Sequence, residues 1–137
     1  MDGTIYAGGT LFPFTVPFLE LLQSLGIGST FLTNNSSRSR ADYLAHLQRM
    51  GIPANEKQLY TSANATIDYL NESCPRLKRL YVLGTESLQE EFRTEGFTIA
   101  NGHDEPDAVI VGFDTALSFD RLCKTAWWVK RGKPYIA

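Results

Sequence analysis

The feature that most constrains the fold of this chain is a regular alternation between short apolar runs and amphipathic stretches with helical periodicity. Residues 29–33, 80–83 and 108–111 are runs of strand length, and helical patterns lie between them. The run at 108–111 is apolar at every position, which is typical of a strand buried on both faces of a sheet. The alternation predicts an α/β protein with a largely parallel sheet.

Five helices are predicted, at residues 16–25, 39–50, 63–70, 86–95 and 119–130. In the first helix the spacing of apolar residues places Phe18, Leu21, Leu22 and Leu25 on the inward face. In the last helix it places Phe119, Leu122, Cys123, Ala126 and Val129 there, with Ser118 as the N-cap. Near the N-terminus, Gly8-Gly9 between two short apolar runs predicts a small β-hairpin.

Composition excludes several classes of protein. The chain has 137 residues, 43% hydrophobic, with a net charge of −2, so it is long enough for a core and is not of disordered composition. No basic excess points to a nucleic-acid polymer as partner. Cys74 and Cys123 lie far apart and indicate neither a disulfide scaffold nor a zinc site. The longest apolar-looking run, at 11–22, contains Pro13 and Pro17 and predicts neither a membrane span nor a signal peptide. We therefore expect a cytoplasmic protein.

Two polar segments carry the residues that could do chemistry. One is Asp2-Gly3-Thr4, and the other is Thr33-Asn34-Asn35-Ser36-Ser37-Arg38, between a predicted strand and a predicted helix. A carboxylate in a tight turn suits metal binding or acid/base work. Hydroxyl, amide and backbone N–H groups near a helix N-terminus suit an anion such as phosphate. Taken singly, each segment is more typical of an ordinary turn or helix cap.

The order and spacing of the two segments change this interpretation. Residues 1–6, Met-Asp-Gly-Thr-Ile-Tyr, resemble the end of the first motif of the haloacid dehalogenase superfamily, Asp-x-Asp-Gly-Thr. Residues 30–35, Thr-Phe-Leu-Thr-Asn-Asn, resemble its second motif, an apolar strand that ends in Thr or Ser. Together with residues 60–63 and the stretches 109–114 and 132–137, they resemble one phosphatase subgroup across nearly the whole chain. That subgroup includes NagD-type nucleotide phosphatases, 4-nitrophenylphosphatases, and phosphoglycolate and pyridoxal phosphate phosphatases.

The resemblance implies a Mg²⁺-dependent phosphatase of small phosphorylated metabolites that works through an aspartyl phosphate. In that superfamily the first Asp of the motif attacks phosphorus, and the second protonates the leaving oxygen and then deprotonates the hydrolytic water. Asp2 matches the second Asp, and its backbone carbonyl is expected to touch Mg²⁺. Thr33 and Asn34 match the residues that bind the transferring phosphoryl group, and Asn35 with the Ser36-Ser37 segment is expected to shape the edge of the pocket.

The chain departs from the family pattern at both ends. The nucleophile would stand immediately before Met1, and the third-motif Lys and the acidic metal ligands of the fourth motif would follow Ala137. Lys133 is rejected for the third-motif role, because its position matches a strand of the cap. We therefore expect a sequence truncated at both ends, whether naturally, in the gene prediction or by design, and an inactive polypeptide as written.

The resemblance also divides the chain. Residues 1–71 would form the first part of a Rossmann-like core, without its first strand, and residues 72–137 an incomplete α/β cap inserted after it. The loop at 112–115 is a candidate for facing the substrate, or else a simple turn, and the cap is a candidate surface for a homodimer.

Three alternatives stay open at this point. A dinucleotide-binding oxidoreductase fits the alternation, but Gly8-Gly9 in a hairpin does not provide the Gly-x-Gly-x-x-Gly turn that it needs. A non-catalytic module or regulatory fragment that binds phosphorylated ligands through Thr33 and Asn34 fits the missing nucleophile. Truncation ranks above such a pseudoenzyme, because both ends fall inside predicted strands.

Overall fold

A computed structural model describes all 137 residues and contains eight strands and five α-helices. The strands are β1 (Tyr6–Ala7), β2 (Thr10–Leu11), β3 (Phe31–Thr33), β4 (Leu59–Thr61), β5 (Arg79–Leu83), β6 (Thr98–Ile99), β7 (Ala108–Val111) and β8 (Tyr135–Ile136). The helices are α1 (Thr15–Ser24), α2 (Arg40–Arg49), α3 (Ser62–Ser73), α4 (Glu86–Thr94) and α5 (Phe119–Lys130). The α/β class and the parallel pairing predicted from the alternation are confirmed.

The chain divides into two compact units. Unit 1 comprises residues 1–34 and 40–61, and unit 2 comprises residues 35–39 and 62–137. The short segment 35–39, directly after Asn34, therefore belongs with the later part of the chain. The boundary near residue 61 precedes α3, whereas the predicted functional division at 71 and 72 would cut through the end of that helix. That functional division stays a prediction.

Unit 1 contains the predicted hairpin and a two-stranded parallel sheet. β1 pairs antiparallel with β2, and β3 pairs parallel with β4 in a register that places Thr33 beside Thr61. Its core is formed by six buried residues, Tyr6, Phe31, Tyr43, Leu47, Ile52 and Leu59. α2 ends at Arg49, and the chain then turns at Gly51, whose φ of +80° is the left-handed conformation that glycine adopts without strain.

Unit 2 is built on a four-stranded parallel sheet in the order β6-β5-β7-β8. β7 is apolar throughout, and Ala108, Val109 and Ile110 are at most 4% exposed, as expected for a strand covered on both faces. One side chain of α4, Phe92, is fully buried and meets Phe97 edge-to-face at 5.9 Å between ring centroids. This sheet and its helices carry the larger core of the molecule.

The predicted inward face of α5 is wrong for four of its five residues. Phe119 is 82% exposed, and Leu122, Cys123 and Ala126 are also exposed, whereas Val129 is partly buried and packs against the core. Thr125 and Trp128 are buried instead, and the Thr125 hydroxyl donates to the carbonyl of Arg121, 2.8 Å away. The period of the pattern is helical as predicted, but the packed face is rotated toward Thr125 and Trp128.

The inward face predicted for α1 is also wrong for most of its residues. Phe18, Leu21 and Leu25 are each at least half exposed, and Leu22 is partly buried. The helix packs through Thr15 instead, which is fully buried and donates its hydroxyl to the carbonyl of Ile5. None of the helices in the chain is long and apolar enough to cross a membrane.

Candidate active site

Asp2 lies in an exposed turn that is closed by backbone hydrogen bonds. The N–H of Gly3 donates to the carbonyl of Tyr6 at 2.7 Å, and Gly3 has a φ of +73°. The N–H of Gly8, in the hairpin turn, donates to Oδ1 of Asp2 at 3.2 Å. The hairpin therefore orients the Asp2 carboxylate while leaving it accessible to solvent and ligands.

Thr33 stands at the carboxyl end of β3, and Asn34 follows it in the loop. The amino group of Met1 donates to the carbonyl of Leu32 at 3.2 Å. Met1 and Leu32 each precede a predicted site residue by one position, so this contact places the start of the chain near β3 within unit 1. Thr33 lies at the carboxyl end of β3, which is the edge where open α/β sheets bind ligands.

Asn35 belongs to unit 2, in the segment 35–39. Its side-chain Oδ1 accepts a hydrogen bond from the N–H of Ser37 at 2.9 Å, so the side chain closes a local turn. Within unit 2, the carbonyl of Ser37 accepts a hydrogen bond from the hydroxyl of Thr85 at 3.0 Å, and Oγ of Ser36 accepts one from the N–H of Phe113 at 2.7 Å. The sequence had assigned Ser36 only to a pocket edge; its anchoring contact spans 77 residues and leaves no local signal.

The loop at 112–115 is held by an ion pair. The Asp114 carboxylate is 3% exposed and lies 2.5 Å from a guanidinium nitrogen of Arg121. A second guanidinium nitrogen of Arg121 donates to the carbonyl of Gly84 at 2.6 Å. The loop is therefore fixed at the carboxyl ends of β5 and β7, with Phe113 63% exposed. Whether it faces a substrate stays a prediction.

Lys133, rejected above for a catalytic role, is paired within unit 2. Its ammonium lies 2.6 Å from a carboxylate oxygen of Glu105. Hydrogen bonding to this ammonium holds the pKa of the Glu105 carboxyl below its ordinary value. The Lys133 ammonium and the Glu105 carboxylate are therefore partners in an ion pair within unit 2.

The residues present fit one part of a magnesium site. Carboxylate and backbone carbonyl oxygens are the ligands that Mg²⁺ takes, commonly from one or two carboxylates together with substrate phosphate and water. Asp2 can offer both kinds of oxygen. No cluster of three His, Cys, Asp or Glu side chains forms in the 137 residues, so Asp2 alone does not complete a metal site.

Unit 1 also contains a groove of about 630 Å³ at the opposite end of β3 from Thr33. Its lining combines apolar side chains, such as Val16, Leu22 and Ile52, with the polar Glu20, Gln23, Ser29 and Gln58. It contains a carboxylate and no Lys or Arg, so it lacks the positive charge that favours phosphate. It is therefore separate from the candidate site.

Comparison with known proteins shows the family of the chain. The family described as haloacid dehalogenase-like hydrolase matches residues 1–98. An acid sugar phosphatase of Staphylococcus aureus is 30% identical over all 137 residues, which cover 52% of that protein. The crystal structure of a 4-nitrophenylphosphatase from Thermotoga maritima superposes with a TM-score of 0.91 at 35% identity, over 100% of this chain and 51% of that one.

A third similar protein was crystallised with the metal. The glycerol phosphate phosphatase of Mycobacterium tuberculosis, in complex with magnesium, has a TM-score of 0.86 at 28% identity, over 96% of this chain and 40% of that one.

The chain belongs to the haloacid dehalogenase-like hydrolases. Within them it falls in the subgroup of small-molecule phosphatases predicted from the motifs, the one that includes the 4-nitrophenylphosphatases. The relatives that it matches are named as phosphatases. The chain spans about half the length of the relatives that it matches.

Proposed function

We propose that a protein built on this chain is a Mg²⁺-dependent phosphatase that hydrolyses small phosphorylated metabolites through an aspartyl-phosphate intermediate. The observation that carries the proposal is the 3.2 Å hydrogen bond between Met1 and Leu32, the residues that directly precede Asp2 and Thr33 in the chain. It supports a site in which two motifs 31 residues apart in sequence act together, as phosphoryl transfer with acid/base assistance requires. Membership of the family supports the same chemistry.

Asp2 takes the general acid/base role in this proposal. It gives a proton to the leaving oxygen when the phosphoryl group is transferred, and it then takes a proton from the water that hydrolyses the acyl phosphate. The hydroxyl of Thr33 and the N–H of Asn34 bind the phosphoryl oxygens. The attacking carboxylate would belong to the residue directly before Met1, and the 137 residues do not include it.

Mg²⁺, when bound, would offset the repulsion between an attacking carboxylate and a phosphate dianion. The backbone carbonyl of Asp2 is the ligand that this chain would contribute. The magnesium complex of the related glycerol phosphate phosphatase supports this choice of metal.

The test has two arms, assayed with 4-nitrophenyl phosphate with and without Mg²⁺. The 137-residue polypeptide is expected to show negligible turnover, because removal of a covalent nucleophile costs many orders of magnitude in rate. The product of the gene together with its flanking coding sequence is expected to be active, and Asp2→Asn in that product to lower kcat by at least about a hundredfold. An ordinary enzymatic rate from the 137 residues alone would contradict the motif placement.

A second candidate function is a non-catalytic module that binds phosphorylated ligands. Such a module would need only the predicted phosphate-binding residues Thr33 and Asn34, which this chain contains. The two candidate functions differ in whether the gene product carries the attacking Asp at the start of the first motif. Phosphate binding without turnover in that product would favour the module.

The substrate is proposed only as a class, a small phosphorylated metabolite. The relatives are named for sugar phosphates, 4-nitrophenyl phosphate and glycerol phosphate, which share only the phosphate monoester. A cytoplasmic location and a homodimer through unit 2 complete the proposal. The exposed side chains of Phe119, Leu122 and Trp127 on α5 support the dimer, and light scattering tests it.

A further inference from the structure

The sheet of unit 2 has its own switch point. From β5 the chain runs through α4 to β6 on one side, and β7 then returns to the other side of β5. In open parallel sheets the crevice outside the carboxyl ends of two such strands is where ligands bind. Here that crevice lies between the residues that follow β5, Gly84 and Thr85, and those that follow β7, Gly112 and Phe113.

This crevice is filled by the protein itself. Ser36 accepts the hydrogen bond from the Phe113 N–H at 2.7 Å, and the Thr85 hydroxyl donates to the Ser37 carbonyl at 3.0 Å. A Cβ atom on Gly112 would lie 3.0 Å from Oγ of Ser36 and 2.6 Å from Cδ2 of Leu88, which is itself only 2% exposed. Because residue 112 is a glycine and has no Cβ atom, the Ser36 side chain has room to pack against it.

We propose that Ser36 is a positioning residue: its hydroxyl seats the segment 35–39 in the switch-point crevice of unit 2 and so fixes the backbone that leaves Thr33 and Asn34. The consequence for phosphate binding rests on the proposed function. Asn35 contributes by closing the turn that presents Ser36, through its bond from the Ser37 N–H. The segment 35–39 therefore occupies the position at which a ligand would bind in an α/β sheet whose switch-point crevice is open.

The first part of the test is amide hydrogen exchange on the 137-residue chain. Ser36→Ala removes the acceptor, and exchange at the Phe113 amide is expected to become about five- to tenfold faster. Ser36→Thr restores a hydroxyl and is expected to restore protection. Ser37→Ala is the matched control, because Ser37 contacts Thr85 through its backbone carbonyl.

A second variant reaches the same contact from the other side. Gly112→Ala keeps the Ser36 hydroxyl but adds a carbon 3.0 Å from its Oγ and 2.6 Å from Cδ2 of the buried Leu88. It is expected to speed exchange at Phe113 at least as much as Ser36→Ala does, because it crowds the same contact and also Leu88. In the double variant, loss of the Ser36 hydroxyl is expected to add little further acceleration at Phe113 beyond Gly112→Ala alone, because that contact is already disturbed.

The second part of the test is titration with inorganic phosphate in the presence of Mg²⁺, followed by the amide signals of Thr33 and Asn34. Ser36→Ala is expected to weaken the phosphate Kd about three- to tenfold, with recovery in Ser36→Thr and no change in Ser37→Ala. Unchanged exchange at Phe113 would overturn the seating of Ser36. Faster exchange with an unchanged phosphate Kd would overturn its positioning role.

The failure of the proposed function has a different signature. If phosphate produces no saturable shift at Thr33 and Asn34 in the parent chain, then phosphate binding by this site is wrong, and the positioning role falls with it. The exchange data on Phe113 would still decide independently whether Ser36 occupies the crevice.

Discussion

At the scale of single residues, Asp107 shows how one carboxylate organises the start of a strand. Its Oδ2 accepts hydrogen bonds from the N–H groups of Lys78 at 2.9 Å and Arg79 at 2.7 Å. The bond from Arg79, followed by that from Lys78, holds the pKa of Asp107 below its ordinary value against the opposing effect of burial. The ionised carboxylate therefore ties the beginning of β5 to the residue that precedes β7.

Asp107→Asn is expected to lower the free energy of unfolding by about 1–2 kcal/mol at neutral pH, because the charge-assisted hydrogen bonds are weakened. A carboxyl whose pKa is lower in the folded state contributes stability above its unfolded-state pKa, and this contribution is lost as the pH falls through the folded-state value. The difference between parent and variant should therefore shrink in acid. Urea unfolding across that range measures it.

Asp104→Asn, in the neighbouring exposed loop, is the matched control and should leave stability within about 0.5 kcal/mol of the parent. A pH-independent difference between Asp107→Asn and the parent would rule out the ionised carboxylate as the cause.

The roles of individual residues were predictable from the sequence to different degrees. Asp2 and Thr33 stand out because their residue types and spacing follow a family pattern, and the residues that precede them, Met1 and Leu32, are hydrogen-bonded. The contacts of Ser36 and Asp107 join residues that are 77 and 28 or more positions apart. Such contacts depend on the register of strands, which a single sequence does not encode locally.

At the scale of elements, α4 and α5 separate what periodicity can and cannot predict. In α4 the apolar residues Leu88 and Phe92, four positions apart, are both buried as predicted. In α5 the packed side holds Arg121, whose guanidinium binds the Gly84 carbonyl and Asp114, together with the buried Thr125 and Trp128. The helix therefore mixes polar and apolar residues on its inward face, and apolar spacing alone does not identify that face.

Two phenylalanine truncations test this difference. Phe92→Ala is expected to cost about 3–5 kcal/mol, because it leaves a cavity in the core of unit 2. Phe119→Ala is expected to change stability by less than about 0.5 kcal/mol in the monomer. Thermal or urea unfolding of both variants at low protein concentration measures the contrast, and equal losses would show that α5 packs through Phe119 after all.

At the scale of the whole molecule, two units each have a core of their own. Units with separate cores open separately when their mutual interface contributes little stability. Leu47→Ala in unit 1 and Leu80→Ala in unit 2 replace fully buried side chains and form a matched pair.

Each of these substitutions is expected to cost about 2–5 kcal/mol. Each should reduce hydrogen-exchange protection mainly in its own unit, which amide exchange by NMR resolves residue by residue. Simultaneous loss of protection in both units from either substitution would show a single cooperative structure instead.

The fold class and the family were predictable at this scale because alternation and motif order are properties of the whole chain. The division at the start of α3, with the segment 35–39 in unit 2, was not predictable in the same way. The placement of segment 35–39 depends on its contacts with the residues that follow β5 and β7, and these strands lie at 79–83 and 108–111, far away in sequence.

The central claim is that Asp2, Thr33 and Asn34 form the phosphoryl site of the chain. The most direct measurement is an NMR titration of the 137-residue polypeptide with inorganic phosphate and Mg²⁺, comparing parent, Thr33→Ser and Thr33→Val. We predict saturable shifts at the amides of Gly3, Thr33 and Asn34 in the parent and in Thr33→Ser, and their loss in Thr33→Val, which keeps the shape but lacks the hydroxyl. Phosphate shifts confined to other parts of the chain, or unaffected by Thr33→Val, would contradict the claim.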